Sequence, residues 1–401
     1  MRKGNGTLLP LIWVAAIIAV VASTATLVLS DRGEDRHWVS ESEYQRIQRY
    51  ARLDAVRETL MTDYYQPLDE DELITGAIRG MTSAVGDVYT FYYTPDEMKR
   101  ETDENDGHYD GIGVVLERSR EGYIELVRVY PDTPAEAAGL RVGDRIVSVD
   151  GAPVDAATYA SYLEGVQRMR GPDGAEVVLG VLRDGQTLEF PLTRAAINVS
   201  YAEYTILDGD IGYVSISQFT GDAADRFGEA IDAFRAAGVK GMVIDLRNDP
   251  GGLLTHVVSI ADKVLPEGLI VYIEDRNGNR TNYFSDAEYL DVPLAVLVNG
   301  MSASASEILA SAVQALDRGT VVGLQTYGKG VVQNLTTFPE DGSGMQYTTA
   351  SYFDANGRSI NGVGVTPDIE VPLEADRVPF DPDPASDNQL AEAIKALGIR
   401  Q

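Results

Sequence analysis

Two short stretches carry side chains able to break an amide bond. In Asn299-Gly300-Met301-Ser302-Ala303-Ser304-Ala305-Ser306-Glu307-Ile308, a serine-rich turn follows the apolar run Leu294–Val298 and precedes a helical pattern. A serine at a strand-to-helix turn is exposed, and the helix's first amides, lacking partners of their own, can receive an oxyanion. In Thr326-Tyr327-Gly328-Lys329-Gly330-Val331-Val332-Gln333, one lysine stands between two glycines and ahead of apolar residues. A lysine placed there can approach a nucleophile and lose water, which depresses its pKa until the neutral amine acts as a base near pH 7. Ser304 and Lys329 are therefore a candidate nucleophile and base. Each has a plainer reading when taken singly: Ser304 as a helix cap, Lys329 as a solvated loop charge. Ser302 and Ser306 can also be read as caps.

Composition removes most other chemistries. The chain has no cysteine, so thiolate catalysis, disulfides and cysteine-based zinc sites are excluded. Its three histidines, His37, His108 and His256, lie far apart and form no His-Glu-x-x-His pair. His256 alone could serve a Ser-His-Asp arrangement, but it falls within a predicted helix, where a packed or surface role fits better. Asp245 and Asp249 have no second acidic cluster to complete a metal site. No metal or cofactor is expected. Lys and Arg total 33 against 62 Asp and Glu, a net charge of −29, which repels phosphate backbones and argues against nucleic acid as a partner.

The elements that must position these residues fall into five stretches. At the N-terminus, Arg2 and Lys3 precede an apolar run from Leu8 to Leu29, long enough to span a bilayer as a helix. Residues 1–30 read as an uncleaved anchor, with a cleaved signal peptide as the alternative. The leading positive charge predicts a body outside the cytoplasm, periplasmic or extracellular-facing, and secreted if the segment is cleaved. Residues 31–100 read as helical: one helix over Ser40–Met61 and a second from Asp69, with Glu72 completing a capping box. Acidic Glu101–Gly107 reads as a linker. Residues 101–195 switch to short strands with two brief helices, Pro134–Ala138 and Asp155–Val166, a compact α+β module. Residues 196–375 alternate strand and helix, which argues for a layered α/β domain. A stiff acidic linker and a last helix near Gln389–Leu397 occupy 376–401.

The small module resembles a PDZ domain, through Gly111-Ile112-Gly113-Val114-Val115, Pro134-Ala135-Glu136-Ala137-Ala138-Gly139-Leu140 and Gly143-Asp144-Arg145-Ile146-Val147-Ser148-Val149-Asp150-Gly151. The first stretch looks like a carboxylate-binding loop, where glycines bring backbone N–H groups close to a peptide's terminal carboxylate. The resemblance implies that a peptide adds as a strand beside Ile112–Val115. Tyr159, Leu163 and Val166 would line the pocket for its last side chain, with core packing an equal reading for Leu163 and Val166.

Taken with Asp245-Leu246-Arg247-Asn248-Asp249-Pro250-Gly251-Gly252-Leu253-Leu254, the two reactive stretches resemble the C-terminal processing, or tail-specific, peptidases, over roughly residues 45–400. That resemblance implies a crotonase-like α/β peptidase core with an inserted PDZ domain. It implies Ser304 as nucleophile, Lys329 as base and Gln333 as the residue orienting it, with Gly251 or Gly252 and the Ala305 amide as oxyanion hole. Arg170 matches an arginine that in some members couples the PDZ domain to the active site; a turn-flanking surface arginine is the other reading. Gly86-Asp87 matches a further motif, although Val88 replaces the usual proline. Asp354-Ala355-Asn356 and Met301 are two more departures.

The implied activity is an endopeptidase that selects proteins by apolar C-terminal tails. The alternatives are a catalytically silent membrane-tethered PDZ scaffold and a Ser–Lys hydrolase of cell-wall peptides. Members often self-associate through N-terminal helices, so Ser40–Met61 reads either as a homodimer contact or as core. An activating partner also belongs to the expectation, its identity open.

Overall fold

The computed structural model describes residues 40–399 apart from 106–107, 120, 131, 158, 199 and 374–381. The expected membrane segment at 1–30 lies outside the described residues. Among the described residues, no helix is long and apolar enough to cross a membrane. The chain divides into two units, Met1–Ala77 and Ile78–Gln401.

In the first unit, helix Glu41–Asp63 opens on a capping box: Glu43 N–H donates to Ser40 Oγ at 3.3 Å and Ser40 N–H to Glu43 Oε2 at 2.7 Å. Asp69 starts helix Glu70–Ser83 by accepting from the Asp71 and Glu72 amides at 2.8 and 3.2 Å. Arg57 joins the two, paired with Asp54 at 2.7 Å and with Glu70. Tyr44, Ile47, Tyr50, Leu53, Val56 and Leu60 form an exposed row along the first helix.

The second unit opens with a correction. The acidic stretch from Glu101 is no linker but the end of helix Pro95–Asn105. Thr94 and Glu97 exchange cap hydrogen bonds at its start, and Pro95 takes the first-turn position where its missing N–H has no cost. The net negative charge suggested a solvated coil; the capping signal at Thr94 outweighs it.

The PDZ-like module is built on strands Val114–Arg118, Ile124–Val129, Arg145–Val149, Glu176–Arg183 and Gln186–Thr193, paired antiparallel in that spatial order. Strand Val114–Arg118 is at one edge. Ile112, Ile124, Leu126, Ile146, Leu179 and Val181 are its buried core, packed beneath helices Pro134–Ala138 and Tyr159–Met169. Helix Tyr159–Met169 starts four residues later than expected, because Asp155 forms a turn with Ala157 N–H rather than a cap.

The core domain has a six-stranded sheet in the order Ala202–Leu207, Ile211–Ile216, Gly241–Asp245, Leu294–Val298, Thr320–Gly323, Ile369–Glu370. The first pair is antiparallel and the rest parallel. Its central strands Ile211–Ile216, Gly241–Asp245 and Leu294–Val298 are buried throughout and read as near-continuous apolar runs. Helices Ala223–Ala237, Leu254–Asp262 and Ala305–Ala315 pack on Val214, Ile244, Val296 and Val298. Helix Asn388–Ala396 covers the opposite face, on Tyr213, Val243, Ala295 and Leu297.

A second, antiparallel sheet was not foreseen beyond one strand. It runs Phe91–Tyr93, Gly344–Asp354, Gly268–Asp275, Arg280–Ser285, with Val331–Thr337 also paired to Gly344–Asp354. It carries the lysine loop.

Candidate active site

Ser304 is the N-cap of helix Ala305–Ala315, with φ 54° and ψ −111°. A non-glycine residue with positive φ stores strain that its neighbours must hold. Here they do. Ser302 Oγ donates to Leu246 O at 2.7 Å, Ala303 N–H to Asp249 O at 3.0 Å, and Ser306 Oγ to Asp249 O at 3.0 Å. The flanking serines tie one loop to the other, and the middle one is left at the apex.

The buried carboxylate of Glu307 organises both loops. Its Oε2 accepts from Ser304 N–H and Lys329 N–H, each at 2.9 Å; its Oε1 accepts from Gly328 N–H at 2.7 Å and Thr326 Oγ1 at 2.5 Å. Burial raises its pKa, opposed by the Thr326 hydroxyl and the three amides. The Tyr352 hydroxyl shares its proton between Ser304 O at 3.1 Å and Lys329 O. The backbones of Ser304 and Lys329 are thus clamped twice, by one acid and one phenol. Neither residue was singled out from sequence, although Ser304-x-x-Glu307 has capping-box spacing, a signal that could have found the acid.

The Lys329 side chain is half-buried, and burial holds its amine below the ordinary lysine range despite the charges of Asp87 and Glu307. Nζ lies 4.6 Å from the centroid of the Tyr89 ring. No hydrogen bond joins it to Ser304 Oγ in this conformation. Gln333 stands opposite Thr348 on the neighbouring strand and gives Nε2 to Thr348 Oγ1 at 3.1 Å. Strand pairing turns its side chain to this cross-strand neighbour, and no hydrogen bond joins it to Lys329.

The two glycines differ. Gly251 N–H donates to Asp249 Oδ1 at 2.8 Å, and a Cβ there would meet Ala303 O at 2.6 Å and Ser304 Cβ at 2.8 Å. The N–H groups of Gly252 and Ala305 have no acceptor among the described residues. His256 lies on helix Leu254–Asp262 with Nε2 on Gly221 O at 3.2 Å, so its ring is committed away from Ser304.

In the PDZ-like module, Gly111 pairs with Ala195 in a short ladder. Gly113 has φ 83°, and the space of its missing Cβ is filled by Thr133. The Ile112 and Gly113 amides have no acceptor among the described residues. Ile112's side chain is buried in the module's core, so only its backbone is available to a ligand. Val114 is half-buried and packs against that core. Val166 likewise packs on the core, its plainer reading. The side chains of Tyr159 and Leu163 lie outside the described residues. Arg170 lines a cleft with Asp96, Asp103 and Asp110, none of which belongs to the Ser304 or Lys329 loops.

Comparison with known proteins agrees with this architecture. Residues 210–371 match Peptidase family S41, 125–183 a PDZ domain, and 19–102 the activating protease CtpB N-terminal domain. The chain is 36% identical over 342 residues to a carboxy-terminal-processing protease of Bartonella bacilliformis, covering 83% of this chain and 77% of that one. It is 31% identical over 405 residues to the carboxy-terminal processing protease CtpA of Bacillus subtilis, covering 98% and 85%. The solved photosystem II D1 C-terminal processing protease superposes with a TM-score of 0.57 at 28% identity, over 86% of this chain and 96% of that one. The fold and site define a PDZ-containing peptidase. This chain belongs to the carboxy-terminal-processing proteases.

Proposed function

We propose that the protein is a serine endopeptidase with a Ser304–Lys329 dyad that takes protein substrates by their apolar C-terminal tails. The observation that carries the reading is the double clamp: Glu307 and Tyr352 each bind the backbones of both residues, in a site where the lysine is desolvated. A structural serine and a surface lysine need no shared buried acid.

Ser304 Oγ attacks the scissile carbonyl and its proton passes to neutral Lys329 Nζ. Of the two glycines, Gly252 is the oxyanion donor with Ala305, because the Gly251 amide is already spent on Asp249. The tetrahedral adduct collapses, Lys329 protonates the departing amine, and an acyl ester remains on Ser304. Water, deprotonated by Lys329, then attacks the ester carbonyl, and Lys329 returns that proton to the departing Ser304 Oγ as the acid is freed. The amine's flexible four-carbon stem lets it leave the Tyr89 face for the Ser304 hydroxyl.

Tail selection rests on the unpaired Ile112 and Gly113 amides beside an edge strand, the setting for a terminal carboxylate and an added peptide strand. The crotonase-like character of the core, the membrane anchor at 1–30, the extracytoplasmic location and an activating partner belong to the same reading. Self-association through the exposed row on helix Glu41–Asp63 does too, and sedimentation of a Leu53→Glu variant would test it.

Digestion of an unfolded protein by wild type, Ser304→Ala and Lys329→Ala tests the dyad; equal activity in all three would sink it. A peptide bound equally with a free or an amidated terminus would remove the tail recognition.

A further inference from the structure

The turn Gly86–Thr90 has no part in the steps above, yet it stands against their base. Asp87 Oδ1 accepts from Tyr89 N–H at 3.0 Å, and Asp87 Oδ2 from Thr90 Oγ1 at 2.6 Å. This self-bonded turn aims the Tyr89 ring at Lys329 Nζ, 4.6 Å from its centroid. An aromatic face carries negative potential and favours an ammonium over a neutral amine.

The turn cannot drift from the lysine. Gln346 Nε2 donates to Tyr89 O and Thr348 N–H to Thr90 Oγ1, both at 3.3 Å. Phe91 pairs with Gln346 in the same strand, Gly344–Asp354. That strand also pairs with Val331–Thr337, which begins two residues after Lys329, and Tyr352 N–H donates to Gly330 O at 3.1 Å. One strand therefore carries both the turn and the lysine loop. Gln333, opposite Thr348, belongs to the same seam.

We propose that Asp87 and Tyr89 are positioning residues that form a wall of the lysine's site, holding the Lys329 ammonium between turnovers and biasing it toward the protonated form. The catalytic consequence rests on the reading of Lys329 as base; the wall itself does not.

The groups facing the amine are few. Asp87 and Glu307 are the anions that oppose burial, with Asp87 the larger. Glu307 is spent on three amides and a hydroxyl, and Asp87 on the Tyr89 amide and the Thr90 hydroxyl. Burial works against the Asp87 carboxylate, but hydrogen bonds from Thr348, Thr90 and Tyr89 N–H hold it below the ordinary range, so it stays an anion. Burial and the neighbouring Tyr327 hydroxyl push Tyr89 up to about 12, so its ring stays neutral. Tyr352, also buried, has its pKa raised well above the ordinary range and stays a phenol. Loss of the anion or the ring leaves desolvation less opposed, and the amine must then lose its proton at lower pH.

The chain has six lysines, few enough for their side-chain amines to be followed by NMR in isotope-labelled protein, with Lys329 assigned by its loss in Lys329→Arg. Titration in a Ser304→Ala background should show the Lys329 midpoint falling by roughly half a pH unit or more in Asp87→Asn and in Tyr89→Leu, with Tyr89→Phe close to the parent. Unchanged midpoints in both, or a rise, overturn the proposal. Tyr89→Leu leaves the Asp87 turn intact, so it decides the matter alone if Asp87→Asn fails to fold. In the otherwise wild-type enzyme, the acid limb of kcat/KM should move down by the same amount. A shifted amine with an unmoved limb means that the wall stands and Lys329 is not the base; an unshifted amine removes the wall whatever Lys329 does.

Discussion

Asn248 and Asn299 hydrogen-bond each other twice: Asn248 N–H donates to Asn299 Oδ1 at 3.0 Å, and Asn299 Nδ2 to Asn248 Oδ1 at 2.7 Å. Asn248 sits three residues before Gly251 and Asn299 five before Ser304, so the pair locks the oxyanion loop to the nucleophile loop. Asn248 holds φ 65°, a conformation that asparagine tolerates better than most residues. Its Nδ2 then donates to Glu117 Oε1 at 2.9 Å, on the edge strand of the PDZ-like module. One side chain thus touches both catalytic loops and the strand expected to receive a tail. An exposed hydrogen bond of this kind contributes ~1 kcal/mol, about a fivefold coupling. Glu117→Ala should therefore shrink the kcat/KM advantage of a free-tailed substrate over its amidated twin by roughly that factor. Cleavage of a tail-less unfolded protein should barely change. An undiminished advantage would mean that the contact transmits nothing.

Gly251→Ala should leave a folded but disabled enzyme. The added methyl would lie 2.6 Å from Ala303 O and 2.8 Å from Ser304 Cβ, with φ at 100°, so the nucleophile turn has to move. Loss of an aligned oxyanion donor typically lowers kcat ~10²–10³-fold, and that range is expected here. Circular dichroism and tail-peptide affinity should stay near wild type. Activity within threefold of wild type, in a protein shown to fold, would contradict the placement of the oxyanion loop.

Arg247 is buried beside that loop and bonded on both sides. It meets Asp245 at 2.6 Å and Asp387 at 2.7 Å, and Nη1 also reaches Gln389 Oε1 at 3.0 Å. Burial opposes its charge, but the two carboxylates raise its pKa above the ordinary arginine value. Asp387 also caps helix Asn388–Ala396 through the Gln389 and Leu390 amides. Asp387→Ala therefore strips a buried ion pair and a cap together. Removing one partner of a buried pair typically destabilises by ~3–5 kcal/mol, and a cap by ~1 kcal/mol. A clear fall in Tm should follow, with residual activity at low temperature, since the dyad lies across the sheet from this helix. A Tm unchanged within a degree would show the network to be dispensable.

The reactive loops were readable from sequence because their demands are local. Ser304 needs small neighbours at a strand-to-helix turn, and Lys329 needs glycines; both signals sit within ten residues. Three of the parallel core strands were readable as apolar runs, while Thr320–Gly323 and Ile369–Glu370 were too short to mark, and the last helix was placed within a residue of Asn388–Ala396. What escaped depends on distant pairing. Strands Val331–Thr337 and Gly344–Asp354 are half-buried and rich in threonine, glutamine and tyrosine, so no clean apolar alternation marks them. The contact of Tyr89 with Lys329 spans 240 residues, and Gln333's commitment to Thr348 follows only from strand register. Glu307 was passed over for a related reason: its capping-box spacing is common, and nothing nearby says that two amides and a hydroxyl from another loop will converge on it.

Asp249 offers the sharpest pH test. Its side chain is fully buried; Oδ1 accepts from Gly251 N–H, while Oδ2 has no partner among the described residues. Burial pushes its pKa well above the ordinary carboxyl value, opposed only by hydrogen bonds. The folded state therefore keeps a proton that the unfolded chain releases above pH ~4. Because the native state binds this extra proton in that interval, the contribution of Asp249 to stability falls as pH rises, by ~1.4 kcal/mol per unit until the folded value is passed. Asparagine has nearly the same shape, can still accept the Gly251 amide through its oxygen, and has no proton to lose. Asp249→Asn should match wild type near pH 4 and exceed it increasingly as pH rises, with the Tm difference widening until the folded state's own carboxyl begins to ionise. It should also retain activity, because the acceptor for Gly251 survives, whereas Asp249→Ala should lose both stability and rate. Parallel Tm profiles for wild type and Asp249→Asn across this range would mean that the buried carboxyl ionises freely, and the oxyanion loop would then need another explanation for its rigidity.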